Sequence, residues 1–132
     1  LSGLTRDTGP KEIVRAALES SAYQTYDLFK AMKKDGLNPR YIKVDGGMVN
    51  NNWFCQFLGD IVNLKIYRSH LNEATALGAA FMAGLQIGVY KSLKDISKNW
   101  SLDRKFSPKI KEKERKLLVQ GWSLAIKRAL VD

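Results

Sequence analysis

The sequence predicts an α/β domain with a parallel, incomplete sheet. Two short runs rich in β-branched and aromatic residues, Tyr41-Ile42-Lys43-Val44 and Leu64-Lys65-Ile66-Tyr67, read as strands. Helical patterns precede, separate and follow them, and this alternation predicts parallel pairing through right-handed crossovers. Two parallel strands cannot cover both faces and both edges of a sheet. Further strands are therefore expected outside this chain.

Taken in order, Leu1 to Gly9 reads as a loop, with Thr8 the expected N-cap of a first helix, Pro10 suited to its first turn and Glu12 complementing its dipole. Ile13, Ala16, Ala17, Leu18, Ala22, Leu28, Phe29 and Met32 carry the helical pattern to about residue 35, where Lys33, Lys34 and Gly36 make a stop. Its middle holds Ser20, Ser21, Gln24 and Thr25, a small polar face that suits close helix packing, the border of a cleft, or plain solvent. A second helix, roughly 51–62, gathers Trp53, Phe54, Phe57, Leu58, Ile61 and Val62 on one broad face. A third, roughly 72–87, is built from Ala74, Ala76, Gly78, Ala79, Ala80, Ala83 and Gly84, small residues expected to let it lie close on the sheet. Residues 88–107 read as irregular, with a short helical turn near Leu93 to Ile96. Ser107-Pro108 is expected to open a last helix, with Leu118, Trp122, Ala125 and Ala129 forming a stripe that docks on the body.

Composition narrows the function classes. Hydrophobic content of 45% with 27% charged residues fits a globular domain with a real core, and no apolar run reaches the ~20 residues of a membrane span. Cys55 is the single cysteine and has no partner for an internal disulfide. These features predict a cytoplasmic setting without a membrane. The net charge of +9 raises nucleic acid as a partner. Much of the excess, however, lies in Lys105, Lys109, Lys111, Lys113, Arg115, Lys116, Lys127 and Arg128, interrupted by Glu112 and Glu114 and without interleaved aromatics for base stacking. A solvated helix face, and no nucleic acid, is the expectation. The chain opens on leucine rather than methionine, so an upstream portion is expected as well.

The organising stretch is Val44-Asp45-Gly46-Gly47-Met48-Val49-Asn50-Asn51-Asn52-Trp53. A strand ending in two glycines before a helix suits an anionic or nucleotide ligand. Glycine lets the backbone approach the ligand, and the first helical N–H groups turn the positive end of the dipole toward it. On residue types alone the stretch reads first as a tight strand–helix turn, and Asn51 first as a helix N-cap. His70 and Cys55 read more simply as a surface histidine and a buried small hydrophobe than as functional groups.

Several separated motifs then resemble the FGGY carbohydrate kinases. Gly3-Leu4 followed by Glu12-Ile13-Val14-Arg15-Ala16-Ala17-Leu18-Glu19 is similar to the family's second signature. The stretch Val44 to Asn51, with Gln56-Phe57 and Asp60-Ile61, resembles the nucleotide loop and following helix of the family's glycerol-phosphorylating branch. Glu73 to Ala80, Gly84-Leu85, Phe106-Ser107-Pro108 and Gly121-Trp122 extend the likeness over nearly the whole chain. Asp-Gly-Gly-Met, with an asparagine four residues after the second glycine, favours that branch over xylulose or gluconate kinases; Gly9-Pro10, Asn50 and Cys55 are mild departures.

The resemblance implies an actin/Hsp70-like fold of two ribonuclease-H-like domains with ATP in the cleft between them. Residues 1–132 would be the C-terminal half of the second, nucleotide-binding domain. It further implies that Gly46 shapes the turn, Gly47 approaches the phosphates through its backbone, Asn51 reaches the adenine and Asp45 shapes the loop by accepting backbone N–H groups. ATP and Mg²⁺ would be the cofactors, and glycerol would be held by an upstream portion that also carries the catalytic aspartate. No catalytic or metal-binding residue is therefore assigned here, and the piece is expected to be inactive alone. A non-catalytic nucleotide- or partner-binding module, or another sugar kinase of the family, is the alternative. The open edge of strand 41–44 predicts self-association, making the chain a homo-oligomer.

Overall fold

The computed structural model describes residues 1–71 and 73–130. Helix α1 runs Pro10–Lys34, strand β1 Tyr41–Val44, a 3₁₀ turn Gly47–Asn50, α2 Asn52–Val62, β2 Lys65–Ser69, α3 Ala74–Gln86, α4 Leu93–Ser97, β3 Leu102–Phe106 and α5 Glu112–Ala129. An onset of the third helix at residue 72 lies outside the described residues.

The first helix ends where expected, with Gly36 at φ +87° beyond Lys33 and Lys34. Its N-cap is Gly9 rather than Thr8. Thr8 is drawn into the preceding loop, where its Oγ1 accepts from the Thr5 N–H at 2.9 Å. The Glu12 carboxylate reaches back to accept from the Gly9 N–H at 2.8 Å. That bond holds the Glu12 carboxyl below its ordinary value, so it completes the cap as well as complementing the dipole.

The sheet has three strands in the order β1-β2-β3. β1 and β2 are parallel as expected, with Tyr41 opposite Lys65 and Val44 opposite Arg68. β3 was expected to be irregular, yet it pairs antiparallel with β2, placing Phe106 opposite Ile66. The sheet is thus mixed and β2 is central. Only Phe106 of β3 is buried, so its Leu-Asp-Arg-Lys-Phe sequence lacks the apolar alternation that announces a strand.

The core lies where α1, α2 and α5 meet the sheet. α2 buries Phe54, Cys55, Phe57, Leu58 and Ile61, joined by Ala22 and Tyr23 of α1, Ile66 and Phe106. The Tyr23 ring meets Phe57 edge-on at 5.7 Å and stacks on Trp122 at 5.3 Å, and the Trp122 indole N–H donates to Asp27 at 2.7 Å. The last helix docks through the expected stripe, with Leu118, Trp122 and Ala125 half-buried and Ala129 exposed. It starts later than Ser107-Pro108 predicted, because α2 ties the preceding segment down. Buried Asp60 accepts from the backbone N–H groups of Lys109 and Ile110, and the Gln56 amide donates to the Ser107 carbonyl at 2.9 Å. The Ser20, Ser21 and Thr25 face is half-buried, with Gln24 exposed. Of α3, Gly84 alone is buried among the described residues. The expected close seat of its alanines on the sheet is not made, and a cavity of about 420 Å³ lies between α3, α4 and the ends of β1 and β2.

Candidate functional site

Parallel strands β1 and β2 finish side by side at Val44 and Arg68, and the glycine loop leaves from that carboxyl edge. In open α/β sheets this edge is where ligands bind. Gly46 sits at φ +98°, a conformation that L side chains rarely adopt, so the turn itself requires glycine there. Gly47 has no such constraint, and a Cβ built on it would meet nothing within 4 Å. The fold leaves open space at that backbone.

The expected direct passage from glycine turn to helix is not what forms. A single 3₁₀ turn intervenes, with the Val49 N–H donating to the Gly46 carbonyl and the Asn51 N–H to the Met48 carbonyl, both at 3.2 Å. Among the described residues the Gly47 and Met48 N–H groups donate to no protein acceptor. In α2, by contrast, the N–H groups of Trp53 and Phe54 are already taken. Asn51 Oδ1 accepts from the N–H groups of Trp53 at 2.9 Å and Phe54 at 3.2 Å. Asn51 is therefore an N-cap, and its side-chain amide nitrogen is the polar group it has left for a ligand.

Asp45 plays the loop-shaping part expected of it, its Oδ2 accepting from the Ala74 N–H at 2.7 Å at the start of α3. Among the described residues its Oδ1 is buried without a partner. The floor of the loop was not foreseen. Val49 is buried, and its carbonyl accepts from Arg68 Nη1 at 2.7 Å and from the Cys55 thiol at 3.1 Å. Burial raises the Cys55 pKa, outweighing nearby Arg68, so the thiol is a neutral donor. Arg68 is held in turn by Asp103 of β3 at 2.6 Å.

Two open hollows flank the loop. One, of about 500 Å³, is lined by Pro10, Lys11, Val14, Arg15, Leu18, Asn51 and Trp53, with the Arg15 guanidinium 5.3 Å over the Trp53 ring. The other is the cavity beside α3, which includes Lys43, Asp45 and Ser69. The structure thus brings Gly46, Gly47 and Asn51 into one loop between two hollows. Arg68 and Asp103 stand beneath it, and a sequence pattern that treats each segment separately misses them. Exposed His70 stands apart, its N–H donating to the Ser101 carbonyl at 3.0 Å.

Residues 1–87 match the FGGY family of carbohydrate kinases, C-terminal domain. The chain belongs to this family. It is 52% identical over 126 residues to glycerol kinase 1 of Pseudomonas aeruginosa, covering 96% of this chain and 26% of that protein. Among solved structures, Plasmodium falciparum glycerol kinase with ADP superposes with a TM-score of 0.82 at 37% identity, over 98% of this chain and 26% of that one. The gluconate kinase of Lactobacillus acidophilus gives 0.74 at 25% identity, again over 98% of this chain and 26% of that one. The FGGY chain therefore spans about a quarter of the length of these relatives, and it shares the actin/Hsp70-like architecture expected of the family.

Proposed function

We propose that this FGGY chain supplies one wall of the adenine-nucleotide site of an ATP-dependent glycerol kinase, which converts glycerol to sn-glycerol 3-phosphate. The observation that carries the proposal is the likeness over nearly the full chain to glycerol kinases, one of them solved with ADP. Geometry supports the residue roles. Gly46 makes the turn, the free N–H groups of Gly47 and Met48 are suited to phosphate oxygens, and the Asn51 amide nitrogen is suited to an adenine acceptor. The match of glycerol kinases at higher identity than the gluconate kinase favours glycerol over another sugar.

Phosphoryl transfer also needs a base for the attacking hydroxyl and groups that hold metal and γ-phosphate. Among the described residues no group of three or more His, Cys, Asp or Glu side chains gathers to hold a metal. Mg²⁺ would accompany the nucleotide and neutralise charge on its phosphates. We place the chain as the C-terminal half of the nucleotide-binding domain, inactive alone, in a cytoplasmic enzyme whose glycerol site lies on another part of the protein. No helix among the described residues is long and apolar enough to cross a membrane. β1, an edge of the sheet in this 132-residue chain, is also the surface through which we expect copies of it to associate, and sedimentation that stays monomeric across a concentration series contradicts that.

Calorimetric titration with ADP·Mg²⁺ tests the nucleotide reading. Asn51→Ala removes both cap and amide, whereas Asn51→Ser keeps a capping oxygen and removes only the amide. The expected result is binding by the wild type and a roughly tenfold loss in Asn51→Ser, the order of one lost hydrogen bond to a ligand. Equal affinity of the wild type and Asn51→Ser removes Asn51 from the site. Absence of binding by a cooperatively melting wild type removes the nucleotide wall itself.

A further inference from the structure

We propose that Arg68 is a positioning residue for the nucleotide loop, with Asp103 of β3 fixing the arginine in place. The assignment rests on the reading of residues 46–51 as a nucleotide wall, and it extends that site to two residues and one strand that touch no ligand. Arg68 stands directly opposite Val44 in the parallel register, where the loop leaves the sheet. Its Nη1 donates to the Val49 carbonyl at 2.7 Å, the Asn52 side-chain oxygen at 3.0 Å and the Asn50 carbonyl at 3.3 Å. Its Nε donates to Asp103 at 2.6 Å, and its guanidinium carbon lies 5.5 Å from the Phe106 ring centre.

The side chain is 11% exposed and Asp103 36%, so the charge is nearly withdrawn from water and is satisfied by one carboxylate, two loop carbonyls and the Asn52 side chain at the start of α2. A planar fork meets this demand because separate nitrogens hold the anchor and the loop at fixed angles, which a single ammonium cannot do. Binding the Val49 and Asn50 carbonyls from below fixes two consecutive peptide planes of the 3₁₀ turn. The turn begins at the Gly47 and Met48 amides that the loop leaves free, so holding its far end also holds those donors. Cys55 supplies a second, weaker donor to the same Val49 carbonyl and cannot replace the fork.

Amide hydrogen exchange on the 132-residue chain without nucleotide tests this independently of ligand binding. The probes are Val49, Asn51, Trp53 and Phe54, whose N–H groups are bonded within the loop and cap. Arg68→Met is expected to accelerate their exchange roughly tenfold while the buried turn of α1 at Ala22 and Tyr23 keeps its protection. Arg68→Lys should restore only part of the difference. Asp103→Ala, at the more exposed end of the pair, leaves the loop donors in place and should give a smaller acceleration in the same four amides; it carries the test if Arg68→Met does not fold. Unchanged loop exchange in a folded variant overturns the proposal. Equal acceleration of α1 and the loop overturns it too, since Arg68 would then act only on global stability. ADP affinity of the same variants is a separate arm: a wild type that binds no ADP counts against the nucleotide reading, while the exchange result still decides whether Arg68 orders the loop.

Discussion

α2 and α3 are both strongly apolar helices from the same α/β unit, and they end in opposite surroundings. α2 buries Phe54, Cys55, Phe57, Leu58, Gly59, Asp60 and Ile61, whereas α3 buries Gly84 alone among the described residues. The difference lies in how apolarity is arranged. In α2, large side chains share one face and meet α1, β2 and α5. In α3, small residues are spread around the whole circumference, a pattern suited to a helix surrounded by protein. Met82 at 50% exposure, with Ile87 and Val89 just beyond the helix, completes an apolar surface that the described residues do not cover, in a molecule about a quarter the length of its relatives. The chain therefore has one finished side, α1–α2–α5, and one unfinished side, α3–α4. The candidate loop lies on the seam between them, tied to the finished side by Val49 and Arg68 and to α3 through Asp45.

Ile61→Ala should break the finished side most severely. Ile61 is fully buried, and truncation of such a side chain costs about 2–5 kcal/mol, which denaturant melts would read as a large fall in midpoint. A smaller effect is expected at high pH. Burial, reinforced by the Glu19 carboxylate, pushes the Tyr23 phenol up to about 12 from its ordinary 10. A raised folded-state pKa contributes stability that is complete below pH 10 and is lost as pH rises toward 12. Stability of the wild type relative to Tyr23→Phe should therefore decline across that window, and a constant difference contradicts the assignment. At the far end, Met82→Ser should shift stability by no more than about 0.5 kcal/mol, because the side chain is half in solvent and packs on little. A loss comparable to Ile61→Ala would mean that α3 is far better docked than its burial indicates.

The parts legible in the sequence were those set by local rules. The stop of α1 at Gly36, the broad face of α2 and the turn at Gly46 follow from residues within a few positions of one another, and the parallel pairing of β1 and β2 from the alternation of strands with helices. What escaped depends on distant partners. β3 carries charges through its middle and gains its strand character from β2. The Arg68–Asp103 pair joins residues 35 positions apart. The late start of α5 follows from Asp60 holding the Lys109 and Ile110 amides, a contact that no helix-start rule contains. The loop was legible as a nucleotide site only through resemblance. Asn51 alone reads first as a cap, and in the structure its oxygen caps while its amide nitrogen is left over.

The most direct test of the account is a ¹⁵N amide spectrum of the chain titrated with ADP·Mg²⁺. The expected shifts saturate and are centred on Gly46, Gly47, Met48 and Asn51, with the α2 core at Leu58 and Ile61 unmoved. Saturating shifts confined to α3 and α5, with the glycine loop silent, would contradict it and move the nucleotide away from the seam.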